Sequence, residues 1–190
     1  MQHTSVVGLV GSLREDSHTR AAMRVALEAA AGRGAETTLL DLRDYDLPPF
    51  DPSRDDHPDA ERLRSVLGGA DAVIVGTPMY HGSYSGVLKN AIDHCGFDEF
   101  EGTTVGLLGV AGGSFPITAL EHLRSVFRAL DAWVLPYQAA VPRSHGAFED
   151  GAFRDDDLRE RVATLGVRAV EYADITPDPR TFEGDQNRGG

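Results

Sequence analysis

Short apolar runs alternate along the chain with longer segments in which apolar residues recur at helical spacing. Near-continuous apolar runs of this length are typical of strands in a parallel sheet that helices cover on both faces. The sequence therefore predicts five such strands, at residues 4–10, 37–41, 71–76, 103–111 and 132–141.

The segments between these strands carry the period of amphipathic helices. They predict five helices, at residues 17–32, 58–69, 85–95, 116–130 and 154–173. The fourth and fifth helices each show an apolar stripe that we interpret as a core face. The first stripe is Ile117, Leu120, Leu123, Phe127 and Leu130, and the second is Leu158, Val162, Leu165 and Ala169.

Strand and helix in strict alternation predict an α/β fold, a doubly wound five-stranded parallel sheet with helices on both faces. Right-handed crossovers favour the strand order 2-1-3-4-5. In such a sheet the ligand crevice lies at the carboxyl ends of strands 1, 3 and 4.

Two segments depart from the alternation. Residues 43–58 are rich in Pro and Asp and predict a long loop before the second helix. Residues 176–190 are polar and rich in Gly and Pro, which predicts a disordered tail. Residues 1–175 are long enough for one domain around a single sizeable core.

Charge and cysteine content narrow the classes of partner. The net charge is −12, and Lys89 is the only lysine beside 17 arginines. Such a surface repels nucleic acids and anionic membranes. A halophilic host would explain the acidic, lysine-poor composition, and a GC-rich genome would explain the scarcity of lysine equally well. Without an apolar signal segment we expect a cytoplasmic protein.

The single Cys95 excludes an internal disulfide and is expected to pack as a small apolar residue.

The segment GSLREDSHTR at 11–20 follows the first strand and opens the first helix. Ser17 suits the N-cap, so that His18 and Thr19 present free backbone N–H groups at the positive helix end. Ser12 adds a hydroxyl, and the Arg14 guanidinium is able to fork onto two phosphate oxygens. The segment therefore predicts a phosphate site that needs no metal, and it lacks the patterns of P-loops and dinucleotide-binding Rossmann domains.

A second loop follows the third strand. Pro78 stiffens it, Gly82 allows a ligand to approach the backbone, and the backbone amides are suited to the polar edge of a flat ring. Around such a ring lie the candidates Pro78, Met79, Tyr80, His81, Gly82 and Ser83. Together the two loops predict a ligand with a phosphate at one end and a planar ring at the other, as in flavin mononucleotide (FMN).

These motifs, which cover residues 4–141 in matching order, resemble those of the NADPH-dependent FMN reductases. This is a flavodoxin-like family that includes chromate, quinone and azo-dye reductases. The matching features are G-S-L-R-x-x-S at 11–17, T-P-x-Y-x-x-S-x-x-G-x-L-K-N-x-I-D at 77–93, Leu47-Pro48 with Asp51, and the turn Ala111-Gly112-Gly113-Ser114. The chain departs from many relatives at Met79, where Glu is common, and at His81 and Thr19, where Asn is common.

The resemblance implies that the segment at 11–20 binds the phosphate of FMN and that the loop after the third strand binds its ring. It also implies that the other side of the ring is closed by Ala111, Gly112, Gly113 and Ser114. It also implies a homodimer or homotetramer. An enzyme of this kind passes a hydride from NADPH or NADH to flavin N5 and then to a small-molecule acceptor such as a quinone, azo compound, metal oxyanion or flavin. The cofactor carries this chemistry, so no catalytic side chain is predicted.

Two other functions stay open at this point. A flavodoxin-type electron carrier would suit the acidic surface, although its phosphate loop would lack arginine. A partner-binding domain that has lost flavin is suggested by Met79 and His81. Lys89 and Asp93 are expected to form a helical ion pair, and no histidine spacing indicates a metal site. No role is predicted for His145.

Overall fold

The computed structural model describes residues 4–54, 57–173 and 175. Its centre is a sheet of five parallel strands in the order β2-β1-β3-β4-β5, which confirms the predicted topology. The strands are β1 (Ser5–Val10), β2 (Glu36–Asp41), β3 (Ala72–Pro78), β4 (Thr104–Val110) and β5 (Trp133–Val141). Every residue of β3 and β4 is buried, as expected of central strands covered on both faces.

Helices cover both faces of the sheet, and each layer encloses its own apolar cluster. One layer consists of α1 (His18–Ala31) and α7 (Asp156–Glu171). The other consists of α2 (Pro58–Leu67), α3 (Gly86–Asp93), the short α4 (Phe97–Phe100) and α5 (Ile117–Ala129). The predicted long helices and strands are confirmed, with ends that differ by two residues or fewer.

The structure corrects one core residue. Ile117 is 47% exposed, whereas Leu120, Leu123 and Phe127 of the same predicted stripe are fully buried. Ile117 is the first residue of α5, about one turn before the buried Leu120. A periodic pattern in the sequence does not show where the covering layer ends.

Several short elements were not predicted. After β5 come α6 (Ser144–Ala147) and a two-stranded hairpin of β6 (Phe148–Glu149) and β7 (Ala152–Phe153). A single 3₁₀ turn, Leu42–Asp44, follows β2. Elements of two to four residues span only about one period of a hydrophobic pattern, so no repeat marks them in the sequence.

The helices α1 and α7 approach each other at backbone distance. A Cβ atom placed on Gly166 of α7 would lie 1.9 Å from the carbonyl oxygen of Ala26 in α1. Real Cβ atoms essentially never come that close, so this crossing requires glycine. The contact fixes the position of α1, whose first turn borders the site described below.

The remaining expectations are met where the structure describes them. The predicted long loop has no helix or strand between Tyr45 and α2 among its described residues. Lys89 and Asp93 form the expected ion pair, and Cys95 is partly buried against the core. The predicted tail at 176–190 lies outside the described residues. Within the described part of the chain, no helix combines the length and apolar character needed to cross a membrane.

Candidate functional site

The loops that follow β1, β3, β4 and β5 meet around one cavity of about 260 Å³ at the carboxyl edge of the sheet. This is the crevice that the topology predicts. It brings together nine of the predicted site residues: Ser12, Arg14, Ser17, His18, Thr19, Pro78, Met79, Tyr80 and Gly112. Asp16, Val110, Ser144 and His145 complete the lining.

The first loop has the geometry of an anion site. Ser17 caps α1, its hydroxyl oxygen accepting a hydrogen bond from the Arg20 amide at 3.2 Å. The amides of His18 and Thr19 lie in the first turn, where the helix itself offers no acceptor. Arg14 is exposed beside them, and its side chain forms no ion pair with the described residues. Hydroxyl, amide and guanidinium donors therefore converge here, as a phosphate requires.

A buried arginine holds this loop from behind. The Nη1 and Nη2 atoms of Arg20 donate to the carbonyl oxygens of Glu15 and Arg14, at 2.8 and 2.9 Å. Its Nε atom donates to Asp41 Oδ2 at 2.6 Å. The guanidinium thus ties the loop after β1 to the end of β2, and it turns the loop carbonyls away from the anion site. Sequence reasoning used only the backbone of Arg20 and missed this role.

Asp41 is charged in this arrangement. Burial alone would raise the pKa of Asp41, but hydrogen bonds from the side chain and backbone of Arg43, and then from Arg20, outweigh burial and hold the pKa below its ordinary value. The carboxylate consequently anchors the Arg20 guanidinium across the neutral range.

The Ser85 hydroxyl joins the first loop to the loop after β3, and the Thr77 hydroxyl holds Ser85 in place. Ser85, the N-cap of α3, donates to the carbonyl oxygen of Gly11 at 2.6 Å, and its amide donates to Thr77 Oγ1 at 3.0 Å. A Cβ atom on Gly11 would lie 2.7 Å from the Cβ of Leu88, so only glycine fits where the loops touch. These contacts set the spacing between the two halves of the cavity.

The loop after β3 ends in a tight turn. The amides of Tyr80 and Ser83 each donate to the other residue's carbonyl oxygen, at 2.9 and 3.0 Å. His81 and Gly82 between them have φ values of 50° and 81°, as a two-residue type I′ turn requires. Histidine, like asparagine and aspartate, is one of the side chains that adopt this left-handed conformation most often, so His81 is compatible with the turn.

This turn corrects one detail of the sequence interpretation. The amides of Met79, Tyr80 and Ser83 already donate to backbone carbonyls, that of Met79 to Val110 at 2.8 Å. The amides of His81 and Gly82 have no acceptor among the described residues. Any amide contact to a ligand ring from this loop therefore falls to those two residues.

The loops after β4 and β5 are bonded to each other. The Ser144 amide donates to the Ala111 carbonyl at 2.9 Å, and the Arg143 amide donates to the Gly113 carbonyl at 2.8 Å. A Cβ atom on Gly112 would lie 3.5 Å from His145 Nε2, which places this imidazole directly against the turn. The pairing carries Ser144 and His145 into the cavity wall.

Six predicted site residues do not line this cavity: His81, Gly82, Ser83, Ala111, Gly113 and Ser114. They belong to the loops after β3 and β4, in which other residues do line the cavity. Ser144 and His145 were the main omission. Their position directly after β5, at the same sheet edge as the other three loops, was the signal that would have found them.

Parallel strands in this order, with an anion loop after β1 and a second loop after β3, define a flavodoxin-like nucleotide-binding domain. The sequence profile of NADPH-dependent FMN reductases matches residues 4–146. The chain belongs to the NADPH-dependent FMN reductase family.

Individual relatives agree with this assignment. An FMN-dependent NADPH-azoreductase from Staphylococcus aureus is 35% identical over 178 residues, which are 89% of this chain and 95% of the relative. A flavoenzyme NAD(P)H:(acceptor) oxidoreductase from Paracoccus denitrificans superposes with a TM-score of 0.76 at 26% identity, covering 90% of this chain and 97% of the other. An NADH:FMN oxidoreductase in its apo form shares the fold, with a TM-score of 0.74, 22% identity and 95% coverage of each chain.

Family membership confirms the resemblance drawn from the two motifs, and the flavodoxin-like fold with it. It also confirms the predicted enzyme class, an NAD(P)H-dependent FMN oxidoreductase, and the pair of cofactors FMN and NADPH. The individual binding residues stay predictions, and their geometry is the basis of the proposal that follows.

Proposed function

We propose that the cavity between the four loops binds FMN, and that the protein uses it to transfer reducing equivalents from NADPH or NADH to a small-molecule acceptor. The observation that carries this proposal is the meeting of the anion loop and the loop after β3 in one cavity. Two strand-end loops with different chemistry match the two ends of FMN.

The donor set fits the phosphate end of FMN. Ser12 and Thr19 are buried in the cavity wall, and the first turn of α1 supplies amides that have no helical acceptor. Arg14 supplies an exposed cation with a planar fork. Charge-assisted bonds of this kind contribute about 1.5–3 kcal/mol each, enough to hold a phosphate without a metal ion.

The ring end fits the second part of the cavity. Pro78, Met79 and Tyr80 offer apolar surface there, and the adjoining turn holds the amides of His81 and Gly82, which donate to no described residue. When bound, FMN supplies a ring that accepts a hydride and returns two electrons to an acceptor. The protein's own part is to hold the ring in register with the nicotinamide and to keep donors beside the ring's polar edge.

The acceptor is proposed only as a class. The staphylococcal relative is named an azoreductase, and the Paracoccus enzyme is named by an unspecified acceptor. We propose that azo compounds, quinones, metal oxyanions or free flavin enter the same open cleft after the nicotinamide leaves.

We further propose a single domain over residues 1–175, a cytoplasmic location, and a homodimer or homotetramer.

The oligomer is supported by an apolar patch beside the cavity, where Leu13 is 58% exposed and Tyr80 is 48% exposed. These side chains border a second hollow together with Val87 and Arg14. Apolar side chains gathered in this way are suited to an interface between subunits.

The test compares two cations. Arg14→Ala is expected to raise the dissociation constant of FMN by about tenfold or more, the worth of one charge-assisted phosphate contact. Lys89→Ala removes the helical ion pair and is expected to leave FMN binding within about twofold, because exposed pairs contribute little. Flavin fluorescence titration measures both, and equal losses in the two variants would contradict the phosphate assignment.

Activity distinguishes the alternatives. Protein reconstituted with FMN is expected to oxidise NADPH steadily with an azo dye or quinone present, and flavin-free protein is not. Inertness until a separate reductase is added would favour an electron carrier. Failure to bind FMN at all would favour a domain that has lost the cofactor.

A further inference from the structure

Two histidines from distant parts of the chain meet at the wall of the anion cavity. His18 is the first residue of α1, and His145 lies in α6 after β5. Their ring centroids are 5.9 Å apart with an interplanar angle of 73°, and both line the same cavity as Arg14, Ser12 and Ser17.

The His18 ring is fixed rather than free. It stacks on Phe148 with centroids 4.7 Å apart and planes within 10° of parallel, and Phe148 in turn packs on Phe153 at 4.3 Å. The short hairpin β6–β7 thus acts as a platform for this ring. An imidazole held flat on an apolar ring keeps its nitrogen edges available to neighbours in the cavity.

The charges around His18 disfavour its cationic form. Burial contributes most, followed by His145 and Arg14, while Asp16 opposes them; the result is a pKa of His18 below its ordinary value of 6.5. On its outer side His18 borders a groove of mixed charge. The charged residues of that groove are Glu15, Asp16, Arg20, Arg24, Glu28, Asp150 and Arg159.

We infer that His18 and His145 are phosphate-recognition residues of the FMN site, and that binding of the phosphate dianion is coupled to proton uptake by His18. The inference rests on the proposed function. It adds a charge device to the anion loop, and it gives a role to the hairpin and to the loop after β5.

Proton uptake by His18 and binding of the phosphate are thermodynamically linked. While no anion is bound, burial and then repulsion among His18, His145 and Arg14 favour the neutral form of His18. A dianion placed between them reverses the sign of that interaction and favours imidazolium. If one proton enters on binding, the affinity for FMN falls about tenfold for each pH unit above neutrality.

Isothermal titration calorimetry at pH 7.5, in two buffers of different ionisation enthalpy, counts the protons taken up. The wild-type protein is expected to take up about one proton per FMN, and its dissociation constant is expected to rise several-fold to about tenfold between pH 7 and 8. Riboflavin lacks the phosphate and is expected to bind without proton uptake. FMN phosphate has a pKa near 6, so its own titration contributes little in this range.

His18→Gln and the double variant His18→Gln, His145→Gln keep a polar side chain at position 18 that does not titrate. Both are expected to lose proton uptake partly or wholly, and to bind FMN with a flatter pH dependence. His57→Asn is the matched control, since His57 caps α2, lines no part of the cavity, and asparagine is an equally good cap. Urea unfolding confirms that each variant is folded; His145 is exposed, so its replacement disturbs no core.

The outcomes separate this inference from the proposed function. FMN binding with no proton uptake, or with the same uptake in the double variant as in the wild type, overturns the role of the histidines and leaves the FMN site standing. If no FMN binds at any pH, the proposed function fails and this inference fails with it.

Discussion

Replacing Arg20 by lysine tests whether the cavity depends on the shape of its loop. The shorter ammonium side chain would keep a positive charge beside Asp41 but would lose the two bonds that Arg20 Nη1 and Nη2 donate to the loop carbonyls. Hydrogen bonds from a charged group contribute about 1.5–3 kcal/mol each, and these carbonyls are only partly buried and regain water. We therefore expect Arg20→Lys to lower the free energy of unfolding by about 2–3 kcal/mol.

The effect on FMN follows from loop order. Without the clamp, the backbones of Arg14 and Glu15 must be ordered when the ligand binds, at about 1–2 kcal/mol for each residue. The total of about 2–4 kcal/mol corresponds to an increase of about 30- to 1,000-fold in the dissociation constant of FMN. Urea unfolding gives the first quantity, and flavin fluorescence titration gives the second.

Arg43→Lys is the control for this experiment. Arg43 also bonds Asp41, through Nε and Nη2 at 3.2 and 3.1 Å, but it touches no carbonyl of the anion loop. We expect a smaller loss of stability and an unchanged affinity for FMN. Wild-type affinity in Arg20→Lys, or an equal loss of affinity in Arg43→Lys, would refute the view that the Arg20 bonds shape the site.

Two further predictions concern stability. Gly166→Ala is expected to destabilise the fold by about 3 kcal/mol, because the added Cβ would collide with the Ala26 carbonyl oxygen. This overpacking outweighs the better helix propensity of alanine. Gly86→Ala is the control in thermal unfolding, because a Cβ at that position meets nothing within 4 Å. Asp41→Asn is expected to be less stable than the wild type at pH 6. Because the folded-state pKa of Asp41 is lowered, its contribution is complete above about 3.8 and is lost as the pH falls through the folded value, so the gap in urea midpoint narrows below about pH 4. A gap that does not change with pH would count against the charged form of Asp41.

The fold was predictable because the apolar runs of the strands and the apolar stripes of the helices are long and uninterrupted. Near-continuous apolar runs such as residues 71–76 are typical of a strand covered on both faces, and the intervening helical stripes supply the cover. The exposure of Ile117 was not predictable, since it depends on where the opposite layer stops. The backbone collision at Gly166 was equally hidden, because sequence alone does not tell which helices cross.

The candidate site was predictable where it follows local rules. The Ser17 cap and the free amides after it need only the sequence of the first loop. His145 reaches the cavity through the pairing of two strand-end loops, and the Arg20 clamp bonds Asp41, a residue 21 positions further along the chain. Such contacts are set by tertiary packing, which no short motif records.

The crossing at Gly166 also has a consequence for the order of events during synthesis. The helix α1, which forms one wall of the cavity, emerges from the ribosome early, whereas α7 follows every other described element. Until α7 docks, the side of α1 that faces α7 is exposed to water, and the helix lacks the backbone contact at Gly166. We therefore expect FMN to bind only after α7 has been synthesised and has docked on α1.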